Sequence, residues 1–140
     1  MEARGYETFD HTADIGIHAW AGEFAGLFEE AAKALFNVMV DLKTVHPTAA
    51  RAVQLAAESG EELMLAWLKE LLFIFETERF VCSQFKVTGL TPATLSAELK
   101  GERLDPSKHV LGREVKAVTL HQFKLTQEKS RCEVRVILDI

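Results

Sequence analysis

The sequence predicts an α+β fold: a single domain in which two main helices pack on a largely antiparallel β-sheet of about seven or eight strands. Helical spacing is confined to the first half of the chain, whereas nearly everything after Arg79 alternates with period two. There is also no internal repeat, low-complexity tract or Pro/Gly-rich linker, which keeps residues 1–140 in one unit.

A first strand is expected at Tyr6 to Phe9. A second follows at Ile15 to Trp20, where Ile15, Ile17 and Ala19 alternate with Gly16, His18 and Trp20. From Glu23 to Val40 the spacing becomes helical, with Leu27, Phe28, Ala31, Leu35 and Val38 recurring at three and four. Val53, Leu55 and Ala57 then alternate as a strand. Ser59-Gly60-Glu61-Glu62 reads as a capping box, in which the Ser59 hydroxyl accepts from the third helical amide and Glu62 reaches back to the Ser59 amide. The helix it opens, to about Glu78, is apolar on most sides and is expected to be central. Downstream, Phe80 to Thr88, Thr94 to Lys100, Arg113 to His121, Gln122 to Thr126 and Arg131 to Leu138 each read as a strand.

Sixteen Lys+Arg against 21 Asp+Glu give a net charge of −5. That balance, without any basic run, argues against a protein that grips phosphate backbone directly. Any work in RNA biology is expected to go through a partner. The N-terminal residues have no apolar run, and the apolar stretch Leu63 to Phe75 is shorter than the ~20 residues of a membrane span. Cys82 and Cys132 belong to no Cys-x-x-Cys unit and read as two buried reduced thiols. We therefore expect a soluble cytoplasmic protein.

The common catalytic constellations are missing. His11, His18, His46, His109 and His121 are scattered, with no helical His pair for zinc. There is no phosphate-binding glycine loop and no Gly-x-Ser-x-Gly elbow. Two places stand out instead. His11-Thr12-Ala13-Asp14-Ile15-Gly16 crowds polar side chains into a short inter-strand link. Turn hydrogen bonds from Asp14 or Thr12, with Gly16 easing the bend, explain it locally, and ligand binding explains it functionally. The C-terminus, Val136-Ile137-Leu138-Asp139-Ile140, is a strong strand running to the last residue, where chain ends are usually frayed. The Asp139 carboxylate beside the free α-carboxylate of Ile140 suits a hard cation such as Ca²⁺ or Mg²⁺, and a solvated end is the plain alternative. Lys116 is a third point, on a strand whose Lys116 face also holds Val118. Alone, such a Lys reads as an edge guard.

In order and spacing, H-T-A-D-I-G, L-F-E-E-A-A-K-A-L-F, W-L-K-E-L-L-F-I-F-E-T-E, V-K-A-V-T-L-H and the terminal V-I-L-D-I resemble the archease family over essentially the whole chain. Leu120 departs from the aromatic more usual before that His, a change of packing rather than chemistry. The resemblance implies an accessory protein rather than a free-standing enzyme. It implies an activator of the RtcB-type tRNA-splicing ligase that promotes guanylylation and multiple turnover, touching RNA only through that ligase. It further implies a divalent cation, Ca²⁺ first with Mg²⁺ or Mn²⁺ as alternatives, held by Asp14, Asp139 and Ile140. Lys116 is implied as a functional residue. The second function implied is a chaperone-like modulator of an RNA-modifying enzyme such as a tRNA methyltransferase.

Overall fold

The computed structural model describes residues 3–11 and 13–140. In chain order these form β1 (Gly5–His11), β2 (Asp14–Ala21), α1 (Phe24–Met39), a 3-10 turn (Leu42–Thr44), β3 (Ala49–Ala56) and α2 (Gly60–Glu78). Then come β4 (Phe80–Leu90), β5 (Thr94–Arg103), β6 (Ala117–Val118), β7 (Lys124–Gln127) and β8 (Cys132–Asp139). The α+β class and the two helices are as expected, and the strands divide between two antiparallel sheets. The larger runs β1-β2-β8-β6, with β7 also paired to β8, and the smaller runs β3-β5-β4.

Helix α1 lies between the sheets, packed on β2 and on β4. Its sequence explains the position. Ala31, Ala32 and Ala34 let backbones approach on several sides, while Leu27, Phe28, Leu35 and Phe36 fill the space between. Its one buried acid, Glu30, is paired by Arg4 at 2.7 Å and Lys33 at 3.1 Å. The central helix is thus α1 rather than α2, which corrects the expectation from apolar content alone. Helix α2 buries Leu63, Met64, Trp67, Leu68, Leu71, Leu72 and Ile74, but leaves Phe73 58% exposed. The Trp67 indole N–H donates to the Phe28 carbonyl at 2.9 Å and fixes one helix on the other. At the start of α2, Ser59 accepts from the Glu62 amide at 3.2 Å as expected, whereas the Glu62 carboxylate accepts from the Glu58 amide, one residue earlier than the capping box predicts.

The strand expected at Arg113 to His121 shrinks to Ala117–Val118. Residues 110–113 are committed elsewhere. The Gly112 amide donates to Met39 O at 2.8 Å, the Arg113 amide to Val38 O at 2.7 Å, and Val110 O accepts from the Asp41 amide at 2.7 Å. At Gly112 a Cβ would stand 2.3 Å from the Val38 carbonyl oxygen, so this close approach needs glycine.

Cys82 and Cys132 are both buried and free, and burial pushes each thiol above its ordinary range. Among the described residues no helix is long and apolar enough to cross a membrane.

One charged knot pins the 104–110 segment to β5. Glu102 accepts from His109 Nε2 at 2.9 Å, the His46 amide at 2.8 Å and Lys108 Nζ at 2.6 Å, while His109 Nδ1 accepts from the Asp105 amide. These bonds, His109's first, hold the Glu102 carboxyl down at about 2 against an ordinary 4.5. A depressed carboxylate stabilises the fold fully above its unfolded value and loses that contribution as pH falls through its folded value. The stability of Glu102→Gln is therefore expected to fall less steeply than wild type between pH 4.5 and 2, in urea titrations at stepped pH. Parallel acid limbs in the two proteins would remove Glu102 as the cause.

Candidate functional site

The site lies where β1, β2, β8 and β6 end together. In β8, Cys132, Val134, Val136 and Leu138 are buried toward the core, so Glu133, Arg135, Ile137 and Asp139 point to the outer face of the sheet. Ile15 pairs with Leu138, and one further step of this register sets Asp14 opposite Asp139, on that same outer face. On the other side of Asp14 its partner is His11, and on the other side of Asp139 its partner is Ala117. The two ends of the sequence singled out beforehand are therefore neighbours on adjacent strands.

The hairpin that presents Asp14 is stiffened by packing. The Phe9 ring lies over Gly16, where a Cβ would meet its Cζ at 2.1 Å, and the Arg135 guanidinium stacks on that ring at 4.3 Å. A side chain at Gly16 would have to displace the Phe9 ring that lies over it. Further along, His18 joins three strands, with Nδ1 2.9 Å from Glu7 and Nε2 2.9 Å from Glu133. His11 and Asp14 face each other across a two-residue link. Ala13 sits there at φ 60°, a left-handed conformation rare for alanine, and Thr12 lies outside the described residues.

Over this hairpin folds the 119–123 turn. It is fastened to β8 by the Thr119 amide and hydroxyl, which donate to Ile137 O at 3.1 and 2.8 Å. It brings His121 edge-on to His11, centroids 5.6 Å apart, and carries Gln122 Oε1 to within 3.1 Å of His11 Nε2. Gln122 is also left-handed, at φ 54°. His11 Nδ1 is buried without a hydrogen-bond partner and stands 3.7 Å from Asp14 Oδ2. No sequence signal marks Gln122, because its place depends on a long-range contact between β1 and the turn after β6.

Lys116 meets the site through its backbone: its amide donates to Asp139 O at 2.7 Å. The residue is exposed, two positions from the core-facing Val118, and it lines a groove of about 490 Å³ with Met39, Phe75, Arg79, Leu104 and Val115. Among the described residues no ion pair links Lys116 to Asp14 or Asp139. Ile140 is half-buried against the core.

No three His, Cys, Asp or Glu side chains among the described residues form a ready-made metal cage. The donor chemistry nevertheless fits a cation. One further step of the β2–β8 register sets two carboxylates opposite each other on adjacent strands, and an orphaned imidazole nitrogen adjoins one of them. When bound, a divalent ion would neutralise these acids and offer open coordination positions to an oxygen ligand.

The fold and site define an α+β domain of two antiparallel sheets and two helices whose candidate residues gather at one end of the larger sheet. This chain belongs to the archease family: the profile of the Archease protein family matches residues 6–140. A Protein archease from Methanothermobacter thermautotrophicus is 38% identical over 147 residues, covering 98% of this chain and 99% of that one. The Methanosarcina barkeri protein is 34% identical over 143 residues, covering 99% and 98%. The solution structure of Methanobacterium thermoautotrophicum protein 1598 matches with a TM-score of 0.83 at 36% identity, over 97% of this chain and 99% of that chain. The crystal structure of a Thermotoga maritima archease, described as a possible chaperone, shares the fold at a TM-score of 0.68 and 18% identity, with 96% of each chain covered.

Proposed function

We propose that this protein activates an RtcB-type tRNA-splicing ligase, presenting a divalent cation at the Asp14–Asp139 tip to promote guanylylation and multiple turnover. The observation that carries this reading is the register that brings Asp14 beside Asp139 at the end of β8. Nucleotidyl transfer depends mostly on positioning and on neutralising charge. A partner can supply such a missing element without a nucleophile of its own.

Asp14 and Asp139, with Ile140, hold the cation. Ca²⁺, Mg²⁺ and Mn²⁺ all suit their oxygens. The Lys116 amide fixes the carbonyl of Asp139, and its ammonium, exposed at the mouth of the neighbouring groove, is free to meet a phosphate or an acidic group of the ligase. RNA is bound by the ligase, which accords with a chain of net charge −5.

The test is single- and multiple-turnover ligation with Asp14→Ala, Lys116→Ala and Asp139→Ala, each checked for a native circular dichroism spectrum. Activation is expected to fall by about 100-fold or more for either Asp variant, the scale of removing one preorganised charge-stabilising group. Full activation by all three variants would overturn the reading. A second reading is a chaperone-like modulator of an RNA-modifying enzyme such as a tRNA methyltransferase, to which the exposed Phe73, Val110, Leu111 and Leu120 would offer apolar contacts. That function needs no metal, so an effect insensitive to chelation would select it.

A further inference from the structure

We propose that His11 binds the cation at this tip directly, through Nδ1, and that its nitrogen biases the site toward a transition ion such as Mn²⁺ over Ca²⁺. The inference rests on the cation reading above and adds to it a ligand and a preference.

A neutral imidazole donates from one nitrogen and accepts at the other, and the partner of one nitrogen decides the role of its neighbour. Gln122 Oε1 lies 3.1 Å from His11 Nε2, the place of a hydrogen-bond acceptor, and leaves Nδ1 for another partner. Nδ1 is the buried atom without a hydrogen-bond partner, 3.7 Å from Asp14 Oδ2. A separation of 3.7 Å is too long for a hydrogen bond between them. It is, however, a spacing that one ion can bridge. Two donors each about 2.0–2.2 Å from a metal stand no more than roughly 4.4 Å apart.

The surroundings hold this arrangement in place. Ala13 and Gln122 are both left-handed non-glycine residues, and one sets the His11–Asp14 hairpin while the other delivers the amide that meets His11 Nε2. Such backbone costs on the order of 1–3 kcal/mol per residue and persists only where its surroundings enforce it. His121 packs its ring edge-on against His11 and closes off rotation of the imidazole. An oriented histidine beside a carboxylate is the usual support of a metal ligand. Ca²⁺ takes oxygen almost exclusively, whereas first-row transition ions also accept an imidazole nitrogen, Mn²⁺ least strongly among them.

The experiment uses the full chain and Mn²⁺ as probe. Pulsed electron paramagnetic resonance of the Mn²⁺ complex is expected to show modulation from one directly coordinated ¹⁴N. The modulation should vanish in His11→Ala and persist in His121→Ala. In the same variant, Mn²⁺ affinity by calorimetry should weaken about 10–100-fold and Ca²⁺ affinity less than about 3-fold. Absence of ¹⁴N modulation in the wild-type protein, or unchanged Mn²⁺ affinity in His11→Ala, would overturn the proposal. Two further variants separate the levels of inference. If Asp14→Asn and Asp139→Asn abolish Mn²⁺ binding while His11→Ala does not, only the histidine falls. If those two bind normally, or if the wild type binds no divalent ion, the cation reading falls with it.

Discussion

Gly101→Ala is expected to destabilise the protein by at least about 3 kcal/mol, or to prevent its folding, although it adds one methyl group. The Cβ would stand 1.8 Å from the Val81 carbonyl oxygen and 2.7 Å from Cys82 Cα. Both are backbone atoms, which cannot swing aside as a side-chain end can. The crowding originates in β4. The register steps from Cys82↔Gly101 to Gln84↔Lys100, so Ser83 is an extra residue and the bulge turns the Val81 carbonyl toward the partner strand. β5 is also the middle strand of its sheet, with Ala49 opposite Gly101 on the other side, so it cannot retreat without breaking one ladder or the other. No glycine among the described residues has a positive φ, and the demand here is therefore for space. Gly89→Ala makes the control, since its Cβ would meet Ser96 Cβ at an ordinary 3.7 Å. It should stay within about 1 kcal/mol of wild type. Urea midpoints of the two variants decide the matter, and a Gly101→Ala protein as stable as Gly89→Ala would remove the bulge as the cause.

That bulge also shows where sequence reading stops. Period-two alternation identifies β4 and β5 because hydrophobic burial on one face is a local pattern. Nothing local says that Ser83 and Thr88 of β4 are skipped in the pairing, or that the strands part into two sheets. Helix order behaves in the same way. Apolar content favours α2 as the central helix, yet α1 takes that place because Ala31, Ala32 and Ala34 let both sheets approach. Small residues carry little weight in a hydrophobicity pattern and much in packing. At the tip, Asp14 and Asp139 are legible as oddities, since a crowded inter-strand link and a strong terminal strand are visible in one dimension. Their adjacency comes from the β2–β8 register. Gln122 and the orphaned nitrogen of His11 come from a turn more than a hundred residues away. Lys116 is legible as a residue but not in its direction. Its expected strand gives way to a segment committed to the end of α1, and among the described residues no ion pair joins it to the acids.

Blocking the last residue should separate a terminal ligand from a mere neighbour. A C-terminal tag is expected to lower divalent-cation affinity by about 10-fold or more and ligase activation with it, whereas an N-terminal tag leaves both unchanged. The two ends of β1 explain the asymmetry. The chain enters at Gly5 and reaches the tip only at His11, and seven residues of strand at about 3.3 Å each put an N-terminal tag roughly 20 Å away. Ile140 follows Asp139 at the tip itself. β8 runs through Asp139, the Lys116 amide clamps the Asp139 carbonyl at 2.7 Å, and Ile140 is anchored against the core, so its carboxylate has little freedom to leave. A tag both adds bulk and converts that carboxylate into a neutral amide. A semisynthetic protein ending in a C-terminal carboxamide at Ile140 isolates the second effect, because it changes charge without adding residues. If the terminal carboxylate is a ligand, the carboxamide form loses affinity as the tagged form does. If Ile140 contributes only its carbonyl, the carboxamide binds normally and the tagged form fails by bulk alone. Equal cation binding by the C-tagged, N-tagged and carboxamide proteins would take Ile140 out of the ligand set and leave Asp14, Asp139 and His11 to hold the ion.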